Sequence, residues 1–288
     1  FVLQSVVATL GSFYNVDFDA EKLKSNDYDS NYYLDVSANL LGSIGSVVAA
    51  WNRIKEGKEI AQPSADKSYS ENFMYMLDSE KSVTKLINRI IDATLILHAE
   101  HTINASTFTA MVTSSTLAKP AQVIASGIGS LSGPLHGGAN QKVILMLEDI
   151  GKKENVKGWL DKRLSSKQVV WGMGHREYST KDPRANILTE MVKQLFEEQS
   201  GKVSNMFETA MELERACDEK LSQKGVYANV DFYSGILYKE IGIPVDLFTP
   251  LFAISRTAGW LAHWIEQVAN NKIFRPTQNY VGSKPRKL

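Results

Sequence analysis

SVTKLINRIIDATLILHAEH, residues 82–101, is the stretch on which the fold turns. Val83, Leu86, Ile87, Ile90, Ile91 and Leu95 recur at the three-and-four spacing of one helix face, so the segment predicts an amphipathic helix that buries one side. It runs out on His98 and His101, nearly one turn apart. The same period continues downstream. Asp182-Pro183 reads as an N-cap followed by a first-turn proline, and Ile187, Leu188, Met191, Val192, Leu195 and Phe196 form the stripe behind it. A third helix is predicted from about Val203 to Leu221, and Thr249-Pro250 opens a fourth that continues through Trp260 and Ile265. Val169-Val170-Trp171 is too short to carry a sheet. The fold class is therefore mainly α. Glycine and proline punctuate loops near residues 57–63, 133–138, 151–158, 172–174 and 242–244. Residues 105–133 are rich in Ala, Ser, Thr and Gly, which suits either a subunit interface or a crowded internal helix pair.

A chain of 288 residues can bury a sizeable core as one large domain or as two sharing a cleft. Lys plus Arg and Asp plus Glu both number 32, so no net field draws the chain to nucleic acid or to an anionic membrane. Cys217 is the single cysteine, which excludes an intrachain disulfide and a cysteine-rich metal site. It falls on the apolar side of Met206, Ala210 and Leu213, where a packed thiol is expected. No unbroken apolar run reaches the roughly 18–20 residues of a membrane span, so a soluble protein is predicted. The chain opens at Phe1 inside an apolar segment with no initiator Met and no signal-peptide flank, and further sequence is expected upstream.

Five histidines are the scarce chemical resource. His136 stands in Ser132-Gly133-Pro134-Leu135-His136-Gly137-Gly138, where glycines let backbone and imidazole approach a ligand. His175 has similar surroundings in Trp171-Gly172-Met173-Gly174-His175-Arg176, and no strand–helix unit there supports a dinucleotide site. Arg184 lies in a first helical turn, where the dipole disfavours a cation. Either Asp182 steadies it or it marks a carboxylate or phosphate site. Arg256 is the only formally charged residue between Asp246 and Glu266, and a buried guanidinium needs either an internal carboxylate or a substrate one. Arg275-Pro276 sits in a polar tail. Asp231, in Asn229-Val230-Asp231-Phe232-Tyr233-Ser234-Gly235, is either a helix-capping residue or a shielded carboxylate able to act as a base. His263, beside Trp260 and Trp264, reads as a packed histidine.

Several blocks match one family in order: Leu97-His98-Ala99-Glu100-His101 with Asn104-Ala105-Ser106-Thr107; Gly133-Pro134-Leu135-His136-Gly137-Gly138-Ala139-Asn140; Gly174-His175-Arg176 with Asp182-Pro183-Arg184; Asn229 to Gly235; and Ser255-Arg256 with Arg275-Pro276. Over nearly its whole length the chain resembles citrate synthase, especially the shorter prokaryotic type that includes 2-methylcitrate synthases. The resemblance implies a two-domain helical fold, with a large domain at 1–137 plus 243–288 and a smaller mobile domain at 138–242 closing on oxaloacetate. It implies a catalytic trio of His136, His175 and Asp231. The match to Asp231 takes a proton from the acyl-CoA, that to His136 hydrogen-bonds the thioester oxygen, and that to His175 polarises the oxaloacetate carbonyl. Water then cleaves the citryl thioester. His101, Arg184 and Arg256 would hold oxaloacetate, with Arg275 entering from the other subunit of a homodimer.

For coenzyme A the resemblance points to Gly172, Met173 and Gly174. The family often has Phe at Met173, Val-Tyr-Lys at Glu177-Tyr178-Ser179 and Glu at Thr102. A lysine missing at Ser179 leaves Arg176, Lys181 and Lys224 as candidates for the CoA phosphates. No metal and no cofactor is implied, acetyl-CoA being a substrate, and the expected location is the cytoplasm. A 2-methylcitrate synthase using propionyl-CoA, a citryl-CoA-cleaving enzyme and a non-catalytic scaffold of the same fold are the competing readings. The family also carries more helices before Phe1 and a longer tail beyond Tyr280-Val281-Gly282.

Overall fold

The structure is a computed structural model that describes residues 2–13, 30–199, 201 and 203–283. Its helices are α1 (Val2–Leu10), α2 (Ser30–Lys55), α3 (Tyr69–Leu77), α4 (Lys85–Ala99), α5 (Ala105–Ser115), α6 (Pro120–Leu131), α7 (Ala139–Ile150), α8 (Val156–Ser165), α9 (Pro183–Glu198), α10 (Asn205–Leu221), α11 (Val230–Glu240) and α12 (Phe248–Ala269). Among the described residues the only β pairing is one isolated antiparallel bridge, Met173 with Ala228.

The helices begin where the side chains supply acceptors for orphan N–H groups. Thr84 accepts from the Ile87 N–H to start α4, and Asn104 accepts from the Thr107 N–H to start α5. Asp182 caps α9 with Pro183 in its first turn, as the sequence predicts. Asn229 accepts from the Asp231 N–H to start α11. Each of these caps fixes the entry of a segment that carries a site residue.

Two groups of helices pack chiefly among themselves. In the first, α12 is the shared element, lying against α2, α4, α5 and α6, while α1 rests on α6. Its Leu251, Ile254, Trp260, Leu261, Trp264 and Val268 are buried, and each such large side chain contributes roughly 1.5–3 kcal/mol. Gly259 makes the closest approach possible: a Cβ there would lie 2.4 Å from the Ala99 carbonyl oxygen, at the end of α4. In the second group α9 packs on α11, α11 on α7, and α10 on α8. The groups meet where α9 touches α4 and α7 touches α12. Cys217 is buried in the second group, as expected, and burial pushes its thiol up to about 12.

The reading of apolar runs needs one correction. Within α2, the segment Tyr32–Lys55 is long and apolar enough to cross a membrane by length and composition, with a mean hydropathy of 1.3 over its best window. Ser, Asn and Gly break it into short apolar runs, which hid the average. Leu40, Ile44 and Val48 are buried where α2 packs on α3 and α12, the placement of a core helix. The small-residue stretch 105–133 forms the α5–α6 pair, crowded together and covered by α1 and α12.

Candidate active site

The two helix groups leave between them a cavity of about 400 Å³, lined by residues that include His101, His136, His175, Arg184, Asp231 and Arg256. Residues some 150 positions apart are thus brought around one space. A larger cavity, about 590 Å³, lies between α2 and α3, but it is lined by groups such as Asn39, Ser43, Gln62 and Asn72 and holds no histidine, carboxylate or arginine. Chemistry, not size, selects the site.

Local backbone explains how the loop residues reach it. Gly172 and Gly174 adopt φ of 78° and 85°, a left-handed conformation that glycine takes without steric cost. The turn pairs with the approach to α11: the Gly174 N–H donates to the Tyr227 carbonyl at 2.7 Å, the Asn229 N–H to the Gly172 carbonyl at 2.9 Å, and the Asn229 side chain to the Gly174 carbonyl at 2.8 Å. His175 and Asp231 are thereby delivered to the same cavity.

Burial favours the neutral form of His101, His136 and His175, and the tautomers of His136 and His175 follow from their partners. The Glu177 N–H donates to His175 Nδ1 at 3.0 Å, so Nδ1 is the acceptor and Nε2 carries the proton toward the cavity. On His136 the roles reverse: Nε2 lies 3.3 Å from the donating Ser106 N–H and 2.8 Å from the Ser106 hydroxyl, which assigns the proton to Nδ1. Burial lowers the pKa of both rings, and it is helped at His175 by Arg184 and at His136 by Arg256. His101 is lowered by burial and by Arg184. Its Nε2 is 2.9 Å from the Tyr178 hydroxyl, and its ring meets that of His175 edge-on at 4.8 Å.

Two guanidiniums face the same space in different ways. Arg184 donates to Asp182 from Nε at 3.0 Å and from a terminal nitrogen at 2.8 Å, with its side chain only 11% exposed, so it is not a solvated arginine. Asp182 also accepts from the Val230 N–H at 3.1 Å, which ties the start of α9 to the start of α11. Burial alone would raise the Asp182 carboxyl, but hydrogen bonds from Arg184 hold it below the usual range. Arg256 is buried on α12, donates from Nε to the His98 carbonyl at 2.8 Å, and lies 5.0 Å from the Phe252 ring centroid. Among the described residues no carboxylate lies within ion-pair distance of it, and burial lowers its pKa to about 10. Glu100 and Asp231 act on Arg256 only through space, so among the described residues it has no direct ion-pair partner at the cavity wall.

Asp231 lies in the first turn of α11, partly buried, and burial raises its carboxyl to about 6 against the opposing pull of Arg184. A carboxylate at that pKa is half-ionised near pH 6 and basic enough to accept a proton at neutral pH. His98 is structural. It is buried, hydrogen-bonded from Nδ1 to the Thr94 carbonyl at 2.7 Å, and lowered to about 4 by burial. His263 is held between Glu100 at 3.3 Å and Glu266 at 3.2 Å, a carboxylate setting that its tryptophan neighbours did not suggest.

The coenzyme A candidates divide. Gly174 and Arg176 line the cavity. Gly172 and Met173 lie in the turn behind it, Lys224 is exposed, and Lys181 pairs with Glu214 at 2.6 Å. Arg275 is exposed on the extended segment after α12, away from this cavity. That segment is fastened to α5 by the Phe274 N–H on the Ser115 hydroxyl at 3.1 Å. Tyr178 and Ser106 are the contacts that motif reading passed over. Each contacts a histidine, and each had a sequence signal, Ser106 in the Asn104–Thr107 block and Tyr178 as the tyrosine that matches the family's Val-Tyr-Lys.

Fold and cavity together define a class: a mainly helical enzyme that gathers imidazoles, one carboxylate-held and one unpaired guanidinium and a basic carboxylate around a space suited to an anion. The family model described as citrate synthase, C-terminal domain, matches residues 1–277. A citrate synthase of Acidithiobacillus ferridurans is 47% identical over 99% of this chain and 73% of its own length. One from Synechocystis is 49% identical over 97% of this chain and 68% of its own. Among solved structures, the citrate synthase of Pyrobaculum aerophilum matches with a TM-score of 0.91 and 34% identity, covering 99% of this chain and 72% of that one. The ternary complex of carboxymethyl coenzyme A and oxaloacetate with the enzyme of Thermoplasma acidophilum matches at 0.88 and 31%, over 99% and 73%. The chain belongs to the citrate synthase family, and its activity class is that of an acyltransferase.

Proposed function

We propose that this chain condenses acetyl-CoA with oxaloacetate and water to give citrate and CoA, the step that opens the tricarboxylic acid cycle, and that His136, His175 and Asp231 perform it. The observation that carries the reading is the complementary pair of imidazole tautomers beside a carboxylate of raised pKa. Asp231 removes a proton from the carbon next to the thioester while the Nδ1–H of His136 donates to the thioester oxygen, so charge never accumulates on an unsupported enolate. The Nε2–H of His175 polarises the ketone of oxaloacetate, the carbon–carbon bond forms, and water hydrolyses the resulting thioester. Arg184, Arg256 and His101 hold the oxaloacetate carboxylates, and such a dianion gives Arg256 the ion-pair partner it lacks among the described residues.

Coenzyme A lies along Gly172, Met173, Gly174 and Arg176, with Lys181 and Lys224 as the more distant cations. The reaction so written needs no cofactor beyond the two substrates. On this reading a large domain at 1–137 plus 243–288 and a small one at 138–242 close on each other and exclude water while the enol exists. Arg275 completes the site of a second subunit in a homodimer working in the cytoplasm.

The test is CoA thiol release with oxaloacetate and either acetyl-CoA or propionyl-CoA. Faster release from acetyl-CoA is expected. Since one methylene is worth only about 1–3 kcal/mol in an apolar pocket, some propionyl-CoA turnover should accompany it. A preference for propionyl-CoA moves the chain to the 2-methylcitrate branch, and no release from either overturns the proposal.

A further inference from the structure

Behind the site, inside the second helix group, a buried carboxylate has no role in the chemistry derived so far. Glu214 of α10 has a side chain only 12% exposed. One of its oxygens accepts a hydrogen bond from the Tyr233 hydroxyl, and the other lies 2.6 Å from Lys181 Nζ. Tyr233 is fully buried on α11, two residues after Asp231, and Lys181 Nζ lies 5.5 Å from its ring centroid. Thr189 of α9 also reaches the Tyr233 hydroxyl, whose pKa is raised by burial and then by the Glu214 charge. One turn further along α10, burial and then Glu214 raise the Asp218 carboxyl, while Lys181 opposes them.

Both partners of Glu214 lie within two residues of a residue at the site. Lys181 precedes Asp182, which grips Arg184, and Tyr233 follows Asp231. We propose that Glu214 is a positioning residue for the condensation, its carboxylate holding Lys181 and Tyr233 together and so fixing the spacing between Arg184 and Asp231. Removing one partner of a buried ion pair is costly where the other charge is left out of water, but Lys181 is 30% exposed and can turn to solvent when Glu214 becomes Gln, while the Tyr233 hydroxyl loses the acceptor that fixes it. Loss of the Glu214 carboxylate should therefore register in turnover more than in folding. The inference rests on the assignment of Asp231 as the base.

Glu214→Gln and Tyr233→Phe in the full chain test it, by kcat, the oxaloacetate KM and the pH profile of kcat. Each variant should lose about 10- to 100-fold in kcat, the scale of a misplacement near 1 Å. The acid limb should move to higher pH, because releasing the tie lets Arg184, the largest charge holding the Asp231 carboxyl down, draw away from it. The other groups around Asp231, namely Asp182, Arg256, His101, His136, His175, Arg176 and Glu177, are unchanged in these variants. Unaltered kcat in both variants overturns the proposal, and so does a fall in kcat with an unmoved acid limb, which loosened packing alone would produce. If Glu214→Gln does not fold, Tyr233→Phe decides on the same terms. Asp231→Asn run in parallel separates the two levels. Turnover retained there refutes the base assignment, while its loss beside normal Glu214 and Tyr233 variants refutes only the role of Glu214.

Discussion

At the scale of single residues the site is a set of opposed forces. Asp231 occupies a first helical turn, where the dipole favours a charged carboxylate, yet burial holds its pKa at about 6. A carboxyl whose folded pKa is raised leaves the fold unpenalised below its unfolded pKa near 4, and the full penalty is present once pH has risen past about 6. Asp231→Asn should therefore stabilise the protein at pH 8 by on the order of 2–3 kcal/mol and have little effect near pH 3.5, as read from urea unfolding at the two values. A variant less stable than the parent at pH 8 would mean that the carboxylate is supported rather than strained. The loop positions of His136 and His175, and the isolation of Arg256, were legible from glycine spacing and from one charge in an apolar run. The tautomers were not, since they depend on the N–H groups of Ser106 and Glu177, and local sequence does not state which backbone donor meets a ring.

At the scale of elements, α12 carries Arg256 and α4 leads into the segment of His101, and the two helices meet unusually closely at Gly259. Gly259→Ala would drive a methyl group into the Ala99 carbonyl and the Glu100 carboxylate, next to the segment that presents His101. A loss of about 1–3 kcal/mol in stability and a raised oxaloacetate KM are expected, checked by thermal unfolding and by steady-state kinetics. A substitution neutral in both would show that the helices have room to part. His98, buried in α4, makes the acid limit of that helix measurable. Its pKa falls to about 4 in the fold, so its contribution is complete above the unfolded value near 6.5 and is lost as pH drops toward 4. His98→Leu should flatten the loss of stability across that window, as measured by urea unfolding, whereas an unchanged slope would place the sensitivity elsewhere. The caps and stripes of α4, α9 and α12 were readable because they obey the local rules of helix entry and period. The pairing of residues 172–174 with 227–229 was not, because a single bridge between distant loops has no periodic signature.

At the scale of the whole molecule, two helix groups share a cleft, and the tail carrying Arg275 leads away from it. If Arg275 serves the site of a second copy, mixing Arg275→Ala with Asp231→Asn chains should restore part of the turnover that each lacks, because the hybrid dimer contains one intact site. Absence of recovery after subunit exchange would return Arg275 to the surface. Composition indicated a core and no polyanion partner, and periodicity indicated helices. The meeting of segments 150 residues apart is a property of tertiary packing, and at the sequence level only the family resemblance supplied it. The most direct test of the central claim is CoA release from acetyl-CoA and oxaloacetate by the unaltered chain and by Asp231→Asn. The account predicts steady turnover in the first, with kcat rising as pH increases through about 6, and a loss of about 10²- to 10⁴-fold in the second with helicity intact. Comparable turnover by the two proteins would contradict it.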